Sequence, residues 1–270
     1  MSQYKLIALD LDGTLLNSNM QLSAGNHAAL RRAIEAGVHV VLATSRWYGL
    51  AKRTADRLEI NTPIIASNGA IAKRPGDGSE LMHLYVDAEA AAEVVALGDD
   101  SGWEMYTTIG DATFMKMRPG IVPEKLPAGL RIADRQSDHL SDGEPTCTMA
   151  FGPDAVEQIE KRFVERFDGR AKFSINRPGG GLPPYFVMTH PEADKAVALR
   201  KVCQELDVAP EETIAMGDSE SDLEMMRMSG LGIAMGNGAD VAKKAAIHIA
   251  PSNNDDGVAW AVEKFVLSNT

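Results

Sequence analysis

The sequence predicts an α/β fold in which a doubly wound parallel sheet is interrupted by an inserted α+β domain. Short apolar runs and helical segments alternate three times before residue 70, which is the pattern of βαβ units in a parallel sheet. The order then changes to helices followed by hairpins, and after residue 190 the alternation returns. We therefore expect residues 1–80 and 190–270 to form one Rossmann-like core domain, with residues 81–189 inserted as a separate domain.

The first core segment begins with an apolar run over Leu6–Leu9, which is typical of a strand buried on both faces. A helix is expected over 26–36, because Leu30 and Ile34 share one face and Gly37 provides a stop. The same alternation predicts a strand, a helix and a further strand at 38–43, 48–58 and 63–66. All three strands are expected side by side in the parallel sheet.

The inserted segment combines two predicted helices with an antiparallel sheet. The helices are expected over 88–97 and 154–167, and one hairpin turns at Gly110 and Asp111. The expected strands are 81–86, 103–109, 113–117, 147–151, 172–175 and 185–188. The glycine run that begins at Gly179 lies outside any strand-to-helix step, so it predicts a flexible loop and not a phosphate-binding loop.

The last segment returns to the parallel pattern. Lys195 opens a helix whose buried side carries Leu199 and Val202. The strands that follow are expected at 213–216, 231–235 and 247–250, and the helices at 223–228, from 239, and at 256–267.

Charged and polar residues follow the predicted core strands at the points where those strands end. They are Asp10 and Asp12 after the first strand, Thr44 after the second, and Asp218 with Asp222 after the strand at 213–216. Ligands of open α/β sheets bind beyond the carboxyl ends of the strands, so these side chains are expected to share one crevice with Lys195. Two carboxylates as close as Asp10 and Asp12 repel unless a cation lies between them or one is protonated. The pair therefore predicts either a site for a hard divalent metal or a nucleophile beside a general acid.

Composition limits the classes of function. Hydrophobic residues make up 44% of the 270 residues and charged residues 24%, as in an ordinary soluble globular protein. The net charge of −11 argues against a general surface for nucleic acid or anionic membranes, and no signal peptide or long apolar span is evident. Cys147 and Cys203 lie far apart and the six histidines lack ligand spacing, so reduced thiols and no zinc site are expected. We expect a cytoplasmic monomer or homodimer without nucleic-acid or membrane partners.

Together, the strand-end residues resemble the four sequence motifs of the haloacid dehalogenase superfamily of phosphoryl-transfer enzymes. The matching residues are Asp10-Leu11-Asp12-Gly13-Thr14-Leu15 for the first motif, Thr44 for the second, Lys195 for the third, and Gly217-Asp218 with Asp222 for the fourth. An insertion after the third strand is similar to the Cof-like subgroup, whose members carry a large cap there. The segments 234–237 and 253–258 also resemble that subgroup. Ser45 and Ser221 depart from the pattern, since the family usually has Gly and Asn at these positions.

The resemblance implies a role for each matching residue. Asp10 would attack phosphorus and carry the phosphoryl group, while Asp12 would protonate the leaving oxygen and then activate water. The implied catalytic residues are Asp10, Asp12, Thr44 and Lys195. The implied site for Mg²⁺ consists of Asp10, the Asp12 backbone carbonyl and Asp218, with Asp222 behind them. The implied substrate contacts are Thr44, Ser45, Lys195 and Asn253.

The sequence thus predicts a Mg²⁺-dependent phosphatase of small phosphorylated metabolites, with sugar phosphates among the expected substrates and a cap that closes over the site. Two alternatives stay open: a phosphomutase of the same superfamily, and a non-catalytic protein that binds a metabolite. Arg46 is equally compatible with an ion pair and with a substrate contact. Asn68 and Asn253 are each equally compatible with loop stabilisation and with support of the site. The candidates for substrate selection in the cap are Arg118, His83, Tyr185 and the loop at Gly179.

Overall fold

The computed structural model describes residues 3–116, 126–127, 129–177 and 183–268, which form two compact units. The core unit comprises Met1–Arg46, Ala51–Met82 and Asp194–Thr270, and the inserted unit comprises Trp47–Leu50 and His83–Ala193. The division of labour between a catalytic core and a cap stays a prediction.

The described residues contain helices and strands in the expected alternation. The strands are β1 (Leu6–Leu9), β2 (His39–Leu42), β3 (Ile64–Ala66), β4 (Ile71–Lys73), β5 (Glu80–His83), β6 (Glu104–Ile109), β7 (Ala112–Met115), β8 (Leu130–Ile132), β9 (Pro145–Phe151), β10 (Lys172–Asn176), β11 (Tyr185–Thr189), β12 (Thr213–Gly217), β13 (Leu231–Ala234) and β14 (His248–Ile249). The α-helices are α1 (Ala24–Glu35), α2 (Tyr48–Leu58), α3 (Ala88–Ser101), α4 (Pro153–Arg162), α5 (Lys195–Glu205), α6 (Leu223–Met228), α7 (Asp240–Ala245) and α8 (Gly257–Val262).

A five-stranded parallel sheet in the order β14-β13-β12-β1-β2 forms the centre of the core unit. β1 is buried along its whole length, as the uninterrupted apolar run predicts. Leu9 is level with Leu42 of β2 on one side and with Met216 of β12 on the other. The residues that follow these three strands therefore emerge at the same edge of the sheet.

β3 has an antiparallel partner that the sequence did not predict. This strand pairs antiparallel with β4, and β5 completes a separate three-stranded sheet. A single parallel bridge between Ala43 and Ile65 connects β3 to the segment after β2. The chain reverses because Ser67, Asn68 and Gly69 have φ values of 49°, 55° and 91°, in the left-handed region. Ile71–Lys73 is too short a run to be recognised as a strand from the sequence.

The inserted unit contains a six-stranded sheet in the order β10-β11-β9-β6-β7-β8. Its pairs are antiparallel except β7 with β8, which is parallel and was not expected. A hydrophobic cluster with α3 and α4 covers one face of the sheet; its large members include Trp103, Met105, Ile159, Phe163, Phe167 and Phe186. The helix expected over 154–167 ends at Arg162, yet Phe163 and Phe167 stay buried in the turns that follow. Apolar spacing could not separate helix from turns here.

Within the parts of the chain that are described, no helix combines the length and apolar character needed to cross a bilayer.

Candidate active site

Asp10 lies immediately beyond β1, between the ends of β2 and β12. Its N–H donates to Met216 O over 3.1 Å, which continues the pairing of β1 with β12 by one residue. The chain then turns, because Leu15 N–H returns to Asp10 O and Leu16 N–H to Leu11 O. Asp10 is only 5% exposed, so its carboxylate is held in a largely dehydrated setting. The predicted strand-end position of Asp10 is thus where the structure places it.

Lys195 joins Asp10 to a second buried carboxylate. Its Nζ donates to Asp10 Oδ1 over 2.8 Å and to Asp222 Oδ1 over 2.7 Å, and the Lys195 side chain is 2% exposed. Lys195 is the first residue of α5, whose start is fixed by Asp194 accepting from the N–H groups of Ala196 and Val197. This N-cap aims the lysine inward. The motif residues from the two separate segments of the core unit therefore meet in one ion cluster.

Asp222 is completely buried and uses both carboxylate oxygens within the chain. While Oδ1 accepts from Lys195, Oδ2 accepts from the N–H groups of Asp218 and Ser219 over 3.1 and 3.0 Å and from Ser219 Oγ over 3.0 Å. Asp222 thus fixes the loop that carries Asp218. These contacts favour a supporting role for Asp222 over direct metal binding, which stays a prediction.

Asp218 lies against the loop after β1. A Cβ on Gly13 would lie 2.3 Å from Asp218 Oδ2, and Gly13 has a φ of 79°. Glycine is therefore required at position 13 both by backbone conformation and by the approach of this carboxylate. Carboxylate oxygens of Asp10, Asp218 and Asp222 all lie within 4.8 Å of one another.

This concentration of charge changes the protonation of the site. Burial raises the pKa of Asp10 well above its usual range, against the opposing effect of Lys195, and the neighbouring aspartates raise it further. Burial and then the Asp222 charge raise the pKa of Asp218 to about 7. Burial alone would lower the pKa of Lys195, but the carboxylates of Asp10 and Asp222 outweigh it and raise that pKa. Lys195 therefore stays a cation. Its single positive charge cannot neutralise the three carboxylates of Asp10, Asp218 and Asp222.

The donor set fits a hard divalent cation. All the candidate ligands are carboxylate or carbonyl oxygens, which Mg²⁺ prefers over nitrogen and sulfur. The raised pKa values of Asp10 and Asp218 express a deficit of positive charge that a bound cation would relieve. The described residues thus provide an acidic cluster able to hold a metal ion.

Asp12 forms an ion pair with Arg46. Arg46 Nε donates to Asp12 Oδ2 over 2.6 Å and Nη2 to Oδ1 over 2.5 Å, so both carboxylate oxygens are engaged. The Asp12 side chain is 38% exposed and that of Arg46 is 13% exposed. Of the two sequence interpretations of Arg46, this structure contains the ion pair.

Thr44 is fully buried beyond β2, where its N–H donates to Ile65 O and its carbonyl accepts from Asn68 N–H. Its hydroxyl accepts from the N–H of Arg46 over 3.2 Å, which leaves the hydroxyl proton to be donated elsewhere. Ser45 is half-buried beside it. Substrate binding by either residue stays a prediction.

A chain of asparagines supports the loop after β1. Asn237 donates to Gly13 O over 2.8 Å and accepts from Asn253 N–H over 2.8 Å, while Asn253 donates to Leu16 O over 2.8 Å. Asn253 is only 5% exposed, and its side chain is bound to this loop. Its contacts favour loop support over the predicted substrate binding. Asn237 received no role from the sequence, although its segment was recognised as similar to the Cof-like subgroup.

The other candidates are Ser221 of the core unit, two residues of the inserted unit, and two that fall outside the described residues. Ser221 is exposed, and its Oγ pairs with Ser219 Oγ over 3.0 Å. His83 and Tyr185 belong to the inserted unit, where His83 Nε2 pairs with Thr146 Oγ1 over 2.7 Å and Tyr185 packs on Phe151. Arg118 and the loop at Gly179 lie outside the described residues.

Comparisons of the sequence with a family model and with individual proteins agree on one family. The sequence matches the model of the haloacid dehalogenase-like hydrolases over residues 7–262. The 5-amino-6-(5-phospho-D-ribitylamino)uracil phosphatase YcsE of Bacillus subtilis strain 168 is 31% identical over 265 residues, which cover 97% of this chain and 96% of that protein. Phosphatase YwpJ of the same organism is 27% identical, with coverages of 94% and 97%.

The fold comparison agrees with this result. A haloacid dehalogenase-like hydrolase from Bacteroides thetaiotaomicron superposes with a TM-score of 0.81 at 27% identity, covering 97% of this chain and 99% of that one. The predicted α/β fold class is confirmed by this likeness and by the parallel sheet. The chain belongs to the haloacid dehalogenase-like hydrolase family, and it is an enzyme of the phosphoric monoester hydrolase class.

Proposed function

We propose that this phosphatase depends on Mg²⁺ and hydrolyses phosphate monoesters of small metabolites through a phosphoryl group carried on Asp10. The observation that supports this most directly is the buried contact of Lys195 with Asp10, next to Asp218. A carboxylate attacks a phosphate dianion only if the charge between them is neutralised. Lys195 provides a fixed cation for that purpose at the nucleophile itself.

In the first step, an oxygen of Asp10 attacks phosphorus and the bond from phosphorus to the leaving oxygen breaks. Lys195 holds Asp10 Oδ1, which leaves Oδ2 as the oxygen we assign to the attack. The buried position of Asp10 favours the reaction, because water competes less for a dehydrated carboxylate. Thr44 would donate its hydroxyl proton to a phosphoryl oxygen.

Asp12 would exchange the proton in both steps. Its carboxylic acid protonates the leaving oxygen, and the resulting carboxylate then takes a proton from the water that attacks the phosphorylated Asp10. The products are an alcohol and inorganic phosphate, and Asp12 returns to its starting form. Asp12 suits this role because it lies two residues from Asp10 and is 38% exposed, within reach of water.

Asp10, the Asp12 carbonyl and Asp218 would hold the metal, with Asp222 fixing the Asp218 loop. A bound Mg²⁺ supplies positive charge that stabilises the transferring phosphoryl group. Lys195 and Asp222 fix Asp10 and the loop that carries Asp218.

The substrate class follows from the relatives. The YcsE, YitU and YwtE proteins of Bacillus subtilis, 31%, 26% and 28% identical to this chain, are each named as phosphatases of 5-amino-6-(5-phospho-D-ribitylamino)uracil. That compound is a primary phosphate ester on a sugar-derived chain. We therefore propose substrates of this kind: sugar and sugar-alcohol phosphates, including this uracil derivative.

The proposal is tested by measuring phosphate release over a panel of sugar phosphates, this uracil derivative, nucleotides and p-nitrophenyl phosphate. We expect turnover with Mg²⁺ that is lost with EDTA, and a fall of at least about 10³-fold in Asp10→Asn. Asp168→Asn, an exposed carboxylate of the inserted unit, serves as the matched control. Activity retained in Asp10→Asn would refute the nucleophile. Return of phosphate to the substrate faster than its release would instead indicate a phosphomutase.

A further inference from the structure

We propose that Arg46 is a positioning residue for Asp12, holding its carboxylate in the orientation in which it exchanges the proton. This inference rests on the proposed function, since it concerns the residue assigned there as the general acid and base. It goes beyond that function because the proposed mechanism assigns no role to the Arg46 side chain.

The contact has the geometry of an orienting clamp. The Nε and Nη2 donors of Arg46 meet the two oxygens of Asp12 at 2.6 and 2.5 Å, which fixes the plane of the carboxylate as well as its position. A single hydrogen bond would leave the carboxylate free to rotate about its bond to Cβ. The clamp occupies one lone pair on each oxygen, and the lone pair left on each oxygen is held in the fixed plane of the carboxylate.

Arg46 is itself held by the site. Its N–H donates to Thr44 Oγ1 over 3.2 Å, and its carbonyl accepts from Ser67 N–H over 2.8 Å. Its guanidinium also contacts Met20 Sδ at 3.9 Å, in the segment between β1 and α1. The backbone of the clamp is thus anchored beside Thr44, while its side chain reaches across to the loop after β1.

Exposure distinguishes this pair from an ordinary surface ion pair. Pairs between fully exposed side chains contribute little, because both side chains must be ordered and water screens the charges. Arg46 is 13% exposed, whereas the surface arginine Arg170 of the inserted unit is 48% exposed. Arg170 also forms a bidentate pair, with Nε at 3.1 Å from Asp87 Oδ2 and Nη2 at 2.9 Å from Oδ1. The chain therefore offers its own matched control for the loss of a bidentate arginine pair.

The test separates the two half-reactions with p-nitrophenyl phosphate in a rapid-quench experiment on the Mg²⁺-loaded protein. The p-nitrophenolate group leaves without a proton, so its initial burst should not require Asp12. With this substrate both steps can run on the ionised form of Asp12, which pairs with Arg46, and release of phosphate then requires that carboxylate to take a proton from water. In Arg46→Ala we expect a burst rate and a kcat/KM within about 3-fold of native, because both report the first step, whereas KM should fall together with kcat. Steady-state phosphate release should fall about 10–100-fold, the loss typical of a misplaced catalytic group.

Two further variants and one poorer substrate sharpen the result. Arg46→Lys keeps the charge but cannot form two parallel hydrogen bonds, so it should recover only part of the lost rate. Phenyl phosphate, whose leaving group needs protonation, should lose first-step rate in Arg46→Ala where p-nitrophenyl phosphate does not. Added guanidinium chloride should partly restore Arg46→Ala, and sodium chloride should not. Arg170→Ala should behave as native throughout.

Each remaining outcome counts against the proposal. If Arg46→Lys equals native in both phases, bidentate positioning is refuted, even if Arg46→Ala fails to fold. If the loss in Arg46→Ala appears only as a higher KM or a slower burst, Arg46 contacts the substrate instead. If native protein releases no phosphate, or Asp10→Asn retains activity, the proposed function fails and this inference fails with it. Native activity that is lost in Asp10→Asn but unchanged in Arg46→Ala refutes the inference alone.

Discussion

At the scale of single residues, the site is a cluster of carboxylates that one lysine neutralises only in part. Lys195 contacts Asp10 and Asp222 directly, whereas the pKa of Asp218 is raised to about 7 by burial and by the charge of Asp222. A carboxylic acid with a raised pKa keeps its proton in the folded protein at a pH where the unfolded chain has lost it. The metal-free site therefore makes the stability of the protein depend on pH.

The sign of this dependence gives a prediction for Asp218→Asn. Between pH 3.8, the usual pKa of the carboxyl, and about 7, the folded state binds one more proton than the unfolded state, so stability falls as pH rises. Asparagine cannot titrate and lacks this effect. In EDTA, the melting temperature of the native protein relative to Asp218→Asn should therefore fall by several degrees from pH 4.5 to pH 7.5.

Thermal denaturation at the two pH values, with and without Mg²⁺, tests this prediction. Mg²⁺ should raise the melting temperature of the native protein at pH 7.5 and have little effect on Asp218→Asn. Asp168→Asn, in the inserted unit, controls for the loss of a carboxylate elsewhere. A difference between native protein and Asp218→Asn that stays constant with pH would contradict the raised pKa.

The sequence indicated where these residues lie along the strands, but not which side chains they contact. Asp10, Thr44 and Asp218 were placed by the abrupt ends of three apolar runs, and the structure has them directly beyond β1, just past the end of β2 and directly beyond β12. The sequence could not decide whether Arg46 forms an ion pair, because the choice depends on how far the loop after β2 lies from Asp12. That distance is a property of the folded chain and not of either segment.

At the scale of elements, the loop that carries Asn253 and Asn254 holds the loop between β1 and α1. Asn253 is buried and donates to Leu16 O, whereas its neighbour Asn254 is exposed and donates to Ser18 Oγ over 2.9 Å. Leu16 is 3% exposed, so its carbonyl has little access to water as a replacement partner. The two adjacent asparagines thus make similar contacts in very different surroundings.

This pair gives a prediction at the element scale. Asn253→Ala should lower the free energy of unfolding by about 1–3 kcal/mol, because a buried carbonyl loses its donor. Asn254→Ala should change it by less than about 0.5 kcal/mol, since water replaces the lost contact. Urea denaturation measures both. If Asn253 instead binds substrate, as the sequence resemblance implied, its alanine variant will raise KM while the unfolding free energy stays near that of the native protein.

The errors at this scale have a common physical origin. Strands β3 and β4 are three residues each, and the turn between them requires left-handed backbone at Ser67 and Asn68. Asn68-Gly69 is a recognised turn signal, but it does not show that the three residues after it form a strand that pairs with β3. The antiparallel pairing of β3 was therefore missed, although its apolar run was recognised. The expected α4 was too long because buried aromatic residues continue past its last helical turn.

At the scale of the whole molecule, the chain divides into two units with separate cores. The core unit is built from non-contiguous segments of the sequence. The domain limits expected from the sequence rested on the change in the order of helices and strands. The inserted unit has its own cluster of buried aromatics, including Trp103, Phe167 and Phe186. All of the predicted metal ligands belong to the core unit. Binding of Mg²⁺ should therefore stabilise the two units unequally.

Hydrogen exchange measured by mass spectrometry tests this difference. At a free Mg²⁺ concentration of 100 times the Kd, a ligand that binds only the folded site adds about 2.7 kcal/mol, or roughly 100-fold slower exchange through opening of that site. We expect the slowing in peptides that cover residues 6–16 and 213–223, and little change in peptides of α3 and α4. The same experiment on Asp218→Asn should show no slowing in any peptide. Equal slowing in α3 and α4 would show that the two units open together, and slowing that persists in Asp218→Asn would place the ion elsewhere in the chain.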